Sequence, residues 1–401
     1  MSGLHARRRT EKRRVARRTL MVTAASLVAV VGTITGTMSA LGGSQTEGAR
    51  PSITTGPGPG PRASTPKPEP APTGPRATAS PTPPSATPSP RASGAAETPP
   101  VGPRATRTGA SSAPSASRLY RSPRSQVLDW VGGHGSDPRR EAIASRIASR
   151  PAAVWFADYT PATITRRVGR VTSAAAAADA VPVLVPYAIP DRDCGGASQG
   201  GAPDLGAYDR WIERFAEGLG TRPVIVILEP DSIAQTDCLS AERRTARYAS
   251  LARAGRALED SNPRAKVYYD AGHSGWHPAA TMAARLRAAG AASAGAGVFT
   301  NVSNFHRTDD ETDYARAVLD ALGGPAGLGA VIDTSRNGNG APADGSWCDP
   351  KGRELGREPT LRTGAARVDA YLWIKLPGES DGCSAAPGTF SPDYAYGLIR
   401  N

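Results

Sequence analysis

Seven short apolar runs punctuate the chain beyond residue 150, at 153–157, 181–187, 224–228, 266–269, 297–300, 330–332 and 370–376. Aliphatic and β-branched residues dominate them, as expected for strands buried on both faces. Between them lie longer segments rich in Ala, Arg and Leu, at 160–178, 205–219, 241–259 and 310–322, which read as helices. The first opens with Thr160-Pro161, a capping residue followed by proline at the first helical position. Strand–helix alternation of this kind predicts an α/β fold with a parallel sheet and helical crossovers. Seven strands rather than eight predict a parallel β/α barrel that is distorted and incomplete.

Composition divides the chain. Residues 42–118 hold 18 of the 37 prolines, and Ile53 and Val101 are their only large apolar side chains. Such a stretch cannot bury enough surface to offset chain entropy and reads as a disordered Pro/Ser/Thr/Ala/Gly-rich linker. All six tryptophans and all four cysteines fall in 119–401, which reads as one large domain. At the N-terminus, residues 1–41 carry eight Lys/Arg between Arg7 and Arg18, followed by an uncharged apolar stretch. That stretch would span about 33 Å as a helix, enough for a bilayer core. It reads as a signal peptide, or alternatively as a retained signal anchor, so the domain is expected to be secreted or held at the cell surface. Membrane contact is expected only through this segment. In that compartment four cysteines without a C-x-x-C spacing read as two disulfides, not a zinc site.

The formal charge of +12 suggests a nucleic-acid partner until it is located. Residues 1–120 hold sixteen Lys/Arg against four Asp/Glu, and the remainder holds 32 of each. A neutral folded domain suits an uncharged ligand better than a polyanion, and no nucleic-acid partner is expected.

Polar side chains stand at or just beyond the carboxyl ends of the strands: Asp193, Asp231, Asp270, Asn301, Asp333 and Asp381. Two or three of them are expected to be ordinary turn residues. The carboxyl end is nevertheless where an α/β barrel builds its site. Glu229 and Asp231 flank Pro230 there, and a carboxyl group in a walled site can stay protonated and act as a general acid. His273 and His277 lack ligand partners in sequence, so the ring points to carboxylate acid/base chemistry with no metal and no cofactor.

Two blocks sharpen this picture. Tyr187-Ala188-Ile189-Pro190-Asp191-Arg192-Asp193-Cys194 and Glu229-Pro230-Asp231-Ser232 occur in that order. Together they resemble the signatures of glycoside hydrolase family 6, the old cellulase family B, over roughly 120–401. Two further segments are similar to that family, Tyr269-Asp270-Ala271-Gly272-His273-Ser274-Gly275-Trp276 and the stretch from Leu372 through Lys375, Glu379 and Asp381 to Cys383. The resemblance implies the incomplete barrel and an inverting hydrolysis of β-1,4-glucan, with acid and base roughly 6.5–9.5 Å apart. It implies Asp231 as the acid, Asp193 as the neighbour that tunes it, and Asp381 as the best candidate for the base. It further implies that Tyr187 crowds the sugar at the cleavage point, and that Asp270 joins substrate binding or the carboxylate network. Lys375 and Glu379 would bind sugar hydroxyls, and Arg192 and Arg336 would pair with the acids. Disulfides Cys194–Cys238 and Cys348–Cys383 come from the same resemblance. Trp276 and Trp347 lie beside turns where an exposed indole could stack on glucose, whereas Trp373 lies in a strand and reads as core.

Only 18 residues follow Cys383, and the segment after Asp193 reaches the next helix by Leu205, so neither is expected to roof the site into a tunnel. The reading is an endo-β-1,4-glucanase, expected to be monomeric, acting on polysaccharide. The alternatives are an exo-acting cellobiohydrolase of the same family and a non-catalytic carbohydrate-binding protein on this fold.

Overall fold

A computed structural model describes residues 118–400. The export segment expected at 1–41, and the linker expected at 42–118 except for its last residue, lie outside the described residues. The elements run α1 (Gln126–Gly133), α2 (Arg140–Ile143) continued by a π-helical turn (Ala144–Ala148), β1 (Val154–Phe156), α3 (Ile164–Ala177), β2 (Val183–Pro186), α4 (Leu205–Glu217), β3 (Val224–Leu228) and α5 (Ala241–Ser261). They continue with β4 (Ala265–Asp270), α6 (Ala279–Ala288), β5 (Gly297–Thr300), α7 (Thr308–Leu322), β6 (Gly329–Asp333), β7 (Val368–Leu372) and α8 (Pro392–Gly397).

The seven strands form one parallel sheet in the order β1-β2-β3-β4-β5-β6-β7, with β1 and β7 at its two edges. This is the incomplete barrel expected, with all seven strands overlapping the apolar runs. Side chains alternate along each strand, so the sheet has two buried faces. On β3, Val224, Val226 and Leu228 join the layer between sheet and helices, where Trp211 and Phe215 of α4 and Leu251 of α5 are buried. Ile225 and Ile227 face the other way, into a barrel core with Val185, Tyr268, Phe299, Val331 and Leu372. Complete burial of an aromatic such as Phe215 contributes about 1.5–3 kcal/mol.

Several helices start on a side-chain cap: Ser125 accepts from Leu128 N, Asp204 from Ala207 N, Ser240 from Arg243 N and Ser391 from Tyr394 N. Thr160-Pro161 does not start α3. Thr163 N donates to Thr160 O, and the Thr160 hydroxyl is taken by Arg167 Nη1 at 2.7 Å, so 160–163 form a turn before the helix begins at Ile164. Trp373 is core, packed with Val127, Ile143 and Phe390. No helix among the described residues is long and apolar enough to cross a membrane.

Candidate active site

β3 leads into the site. Beyond Leu228 the chain turns through Glu229 and Asp231, both with left-handed backbone (φ 48° and 68°) on either side of Pro230. Asp191, Asp193, Cys194, Asn301, Ser303 and Asp349 share this conformation. Such backbone is unfavourable for residues with a Cβ, and its concentration beyond the strands' carboxyl ends marks where geometry has been fixed against local preference.

The two carboxylates flanking Pro230 part company. Glu229 is fully buried and accepts hydrogen bonds from Ala188 N (2.9 Å) and Ile189 N (3.0 Å), tying β3 to the loop after β2. Burial pushes its carboxyl up to about 7, against the pull of those backbone donors. Asp231 instead lines a cleft of about 1510 Å3. Its carboxyl is pushed well above the usual carboxylate range by burial first, then by the negative charge of Asp270 and then that of Asp193.

Asp270 was expected in substrate binding or in the carboxylate network, and its negative charge bears on Asp231. It is buried (1% exposed), does not line the cleft, and spends its oxygens on Ile233 N (3.0 Å), Ala234 N (2.8 Å) and Gly272 N (2.9 Å). A carboxylate at a strand end can face either the ligand or the neighbouring turn, and three converging N–H groups hold this one on the turn that carries Asp231. Asp193 does line the cleft, and its Oδ2 accepts from Ser198 N at 2.6 Å. The following loop folds back through Gly201, which has a left-handed φ of 104°. A Cβ at Gly201 would sit 2.2 Å from Ile189 O, so only glycine allows this approach.

Arg192 was expected to pair with an acid and does not. Its guanidinium donates to the carbonyls of Ala157, Tyr187 and Ser198 and lies 4.5 Å from the Tyr187 ring centroid. Through Nε and Nη1 it joins three carbonyls of separate segments, and so braces the loop beneath the cleft. Tyr187 is held between this cation and the edge of Trp155, at 5.3 Å.

The opposite wall is built from β7 and the segments after β5 and β6. Asp381 Oδ2 accepts from Arg336 Nη1 at 2.7 Å and from Asp349 N at 3.2 Å, while Oδ1 lies 3.5 Å from Lys375 Nζ. Arg336 is completely buried, donates also to Ser303 O and Tyr394 Oη, and stacks over Phe305 at 4.5 Å. The expected ion pair at Arg336 is therefore present. Glu379 and Lys375 line the same wall, and burial lifts the Glu379 carboxyl to about 7 despite the positive charges of Lys375 and Arg336.

Trp276 and Trp347 both line the cleft. Trp276 stacks on His277, while Trp347 stands 60% exposed at the rim. The disulfides are Cys194–Cys238 and Cys348–Cys383, each beside a cleft carboxylate. Asn301, just after β5, and Asp333, the last residue of β6, are by contrast turned inward: the Asn301 amide donates to Asp333 O, and Asp333 accepts from Ser335 N and Lys375 N. Among the described residues no group of three or more His, Cys, Asp or Glu could hold a metal ion.

With acids, cation and tryptophans facing one cleft, comparison with known proteins becomes informative. The model for glycosyl hydrolases family 6 matches residues 114–397. The chain belongs to this family. Among family-6 relatives, it is 55% identical to Endoglucanase 1 of Streptomyces sp. (strain KSM-9), across 70% of this chain and 77% of that one. It is 48% identical to Endoglucanase A of Thermobispora bispora, across 71% of this chain, and spans only 62% of that protein's length. Among solved structures, the endoglucanase Cel6 of Mycobacterium tuberculosis superposes with a TM-score of 0.66 at 41% identity, covering 71% of this chain and 96% of that one. That enzyme was solved with methyl-cellobiosyl-4-deoxy-4-thio-β-D-cellobioside bound.

The family-6 cleft also holds residues that sequence reasoning passed over. Trp155 lines it, with its indole N–H on Ile374 O at 2.7 Å. Its place in the middle of an apolar run gave it no mark beyond that of a core residue. His273 and His306 stack at 4.3 Å in the cleft wall, and burial, with the charge of His306 and His277, lowers His273 to about 3. Asp349, which does not line the cleft but exchanges hydrogen bonds with Asp381, was passed over as well.

Proposed function

We propose that the domain is an inverting endo-β-1,4-glucanase, with Asp231 as general acid and Asp381 as the base that receives a proton from the attacking water. The observation that carries this is the contrast between the two acids. Asp231 has its carboxyl raised by burial and by the charges of Asp270 and Asp193, which favours the protonated form, whereas Asp381 is paired with the buried guanidinium of Arg336. Glycoside inversion requires one protonated and one ionised carboxyl on opposite faces of the sugar. Asp193 contributes negative charge beside the reacting centre, which also suits positive charge developing on the anomeric carbon. Tyr187 crowds the ring being cleaved, Lys375 and Glu379 bind hydroxyls, and Trp276 and Trp347 stack on glucose faces. Two disulfides suit action outside the cytoplasm.

Products released from β-linked cello-oligosaccharides then appear first as α-anomers, as proton NMR at early time reads directly. Early β-anomers would mean a covalent intermediate and would remove Asp381 from the base role.

Internal cleavage is the favoured mode. Four bacterial relatives named endoglucanases share 39–55% identity with this chain, whereas an exoglucanase, two cellobiohydrolases and a fungal putative endoglucanase share 31–32%. Of the segment after Cys383, Pro387 and Gly388 line one wall of the cleft, while Phe390 and Ala395 are buried against α1 and α2. Carboxymethylcellulose viscosity should therefore fall steeply for each reducing end released. Slow viscosity loss with cellobiose as the main early product would favour chain-end action.

A further inference from the structure

Asp349 follows Cys348 in the loop after β6, and its carboxylate gathers the segment that carries Asp381. Its Oδ1 accepts from Asp381 N at 2.7 Å. Its Oδ2 accepts from Ser380 Oγ (2.5 Å), Cys383 N (3.1 Å), Ser384 N (2.8 Å) and Ser384 Oγ (2.9 Å). Its own N–H returns a bond to Asp381 Oδ2 at 3.2 Å. Burial opposes a charge at Asp349, but these donors outweigh it and hold the carboxyl well below the usual range.

The consequence lies in which oxygen of Asp381 is left for chemistry. Oδ2 is committed to Arg336 and to Asp349 N, so Oδ1, with Lys375 Nζ at 3.5 Å, is the one available towards the cleft. Cys348–Cys383 makes a second tie between the same two segments, one residue from Asp349 and two from Asp381. Disulfide and carboxylate constrain different things. The disulfide fixes how close the segments lie, whereas the reciprocal bonds between Asp349 and Asp381 fix the rotation of the Asp381 backbone and carboxylate.

We infer that Asp349 is a positioning residue for the reaction: it orients Asp381 so that Oδ1 receives the water's proton, and it locks that orientation to the loop bearing Trp347. The inference rests on Asp381 being the base. Asparagine at 349 is nearly isosteric but turns one acceptor into an N–H donor facing N–H and O–H donors, so the lock opens without emptying the site. Misplacement of a catalytic group by about 1 Å costs on the order of 10²-fold.

The test is a double-variant cycle on soluble cello-oligosaccharides using the whole protein. Asp349→Asn should lower kcat by roughly 10- to 100-fold while KM stays within about twofold. In the Asp381→Ala background the same substitution should change the residual rate by less than about twofold, because the group it positions is gone. Near-ultraviolet circular dichroism and cello-oligosaccharide titration check that folding and binding persist, and Asp349→Ser serves if the asparagine variant does not fold. A KM rising as much as kcat falls, or the same fold-loss in both backgrounds, overturns the positioning role and leaves the base in place. Near-normal activity of Asp381→Ala alone removes the base, and the inference with it.

Discussion

Asp231→Asn lowers kcat/KM on cello-oligosaccharides by about 10²–10⁴-fold, the range for loss of a general acid, while oligosaccharide binding stays close to that of the parent. Asparagine keeps the shape of the side chain but has no proton to give to the departing alkoxide. Aryl cellobiosides with good leaving groups need that proton less, so their loss should be smaller. Equal losses on both substrates, measured side by side, would falsify the assignment. The same site fixes a sign for pH dependence. Asp231 is raised by burial and by the charges of Asp270 and Asp193, so activity should extend to pH values above the ordinary carboxyl range. Asp193→Asn removes one of those anions and makes the Asp231 anion easier to form. The alkaline limb of the kcat/KM profile should then move towards lower pH, and a limb that stays or moves upward argues against this coupling.

Arg336→Met should be the most destabilising single change in the site, at about 3–5 kcal/mol, the usual cost of leaving one member of a buried ion pair unpaired. Arg336 is completely buried and gives hydrogen bonds to Asp381, Ser303 and Tyr394, so its removal breaks all three together. Denaturant titration reads the effect as a fall in midpoint. Arg336→Met combined with Asp381→Asn should regain much of that stability, since the orphaned charge is then gone, yet remain inactive. A single variant with an unchanged midpoint would mean that Lys375, 3.5 Å from Asp381, suffices as counter-ion.

The sheet was legible because its signal is local. Apolar runs bounded by turn residues give strands, and the burial of both faces follows from their composition. The helices α1, α2, α6 and α8 escaped notice because they are short, at four to ten residues each, and give a periodic pattern few turns in which to repeat. Site residues were legible where a motif carried them. What the sequence could not reveal was orientation. Asp270 and Asp231 both stand at strand ends, yet one faces three backbone N–H groups and the other the cleft. Arg192 and Arg336 both neighbour acids in sequence or fold, yet only Arg336 meets one. Asp349 went unread because its partners lie more than thirty residues further on and most are backbone amides, which carry no side-chain signature.

An open sheet has two edges that a closed barrel lacks, and exposed strand edges invite pairing with another molecule. Here each end of the sheet has its own covering. Tyr371 of β7 exchanges both backbone hydrogen bonds with Thr360, which occupies that strand's outer rim. At the other end β1 is only three residues long, and the chain around Val181 that it leaves uncovered is paired with residues 118–120. Ala153 N and the Trp155 indole then reach across to the carbonyls of Trp373 and Ile374. Both edges of the open sheet are thus kept from becoming templates for aggregation by short irregular segments of the same chain.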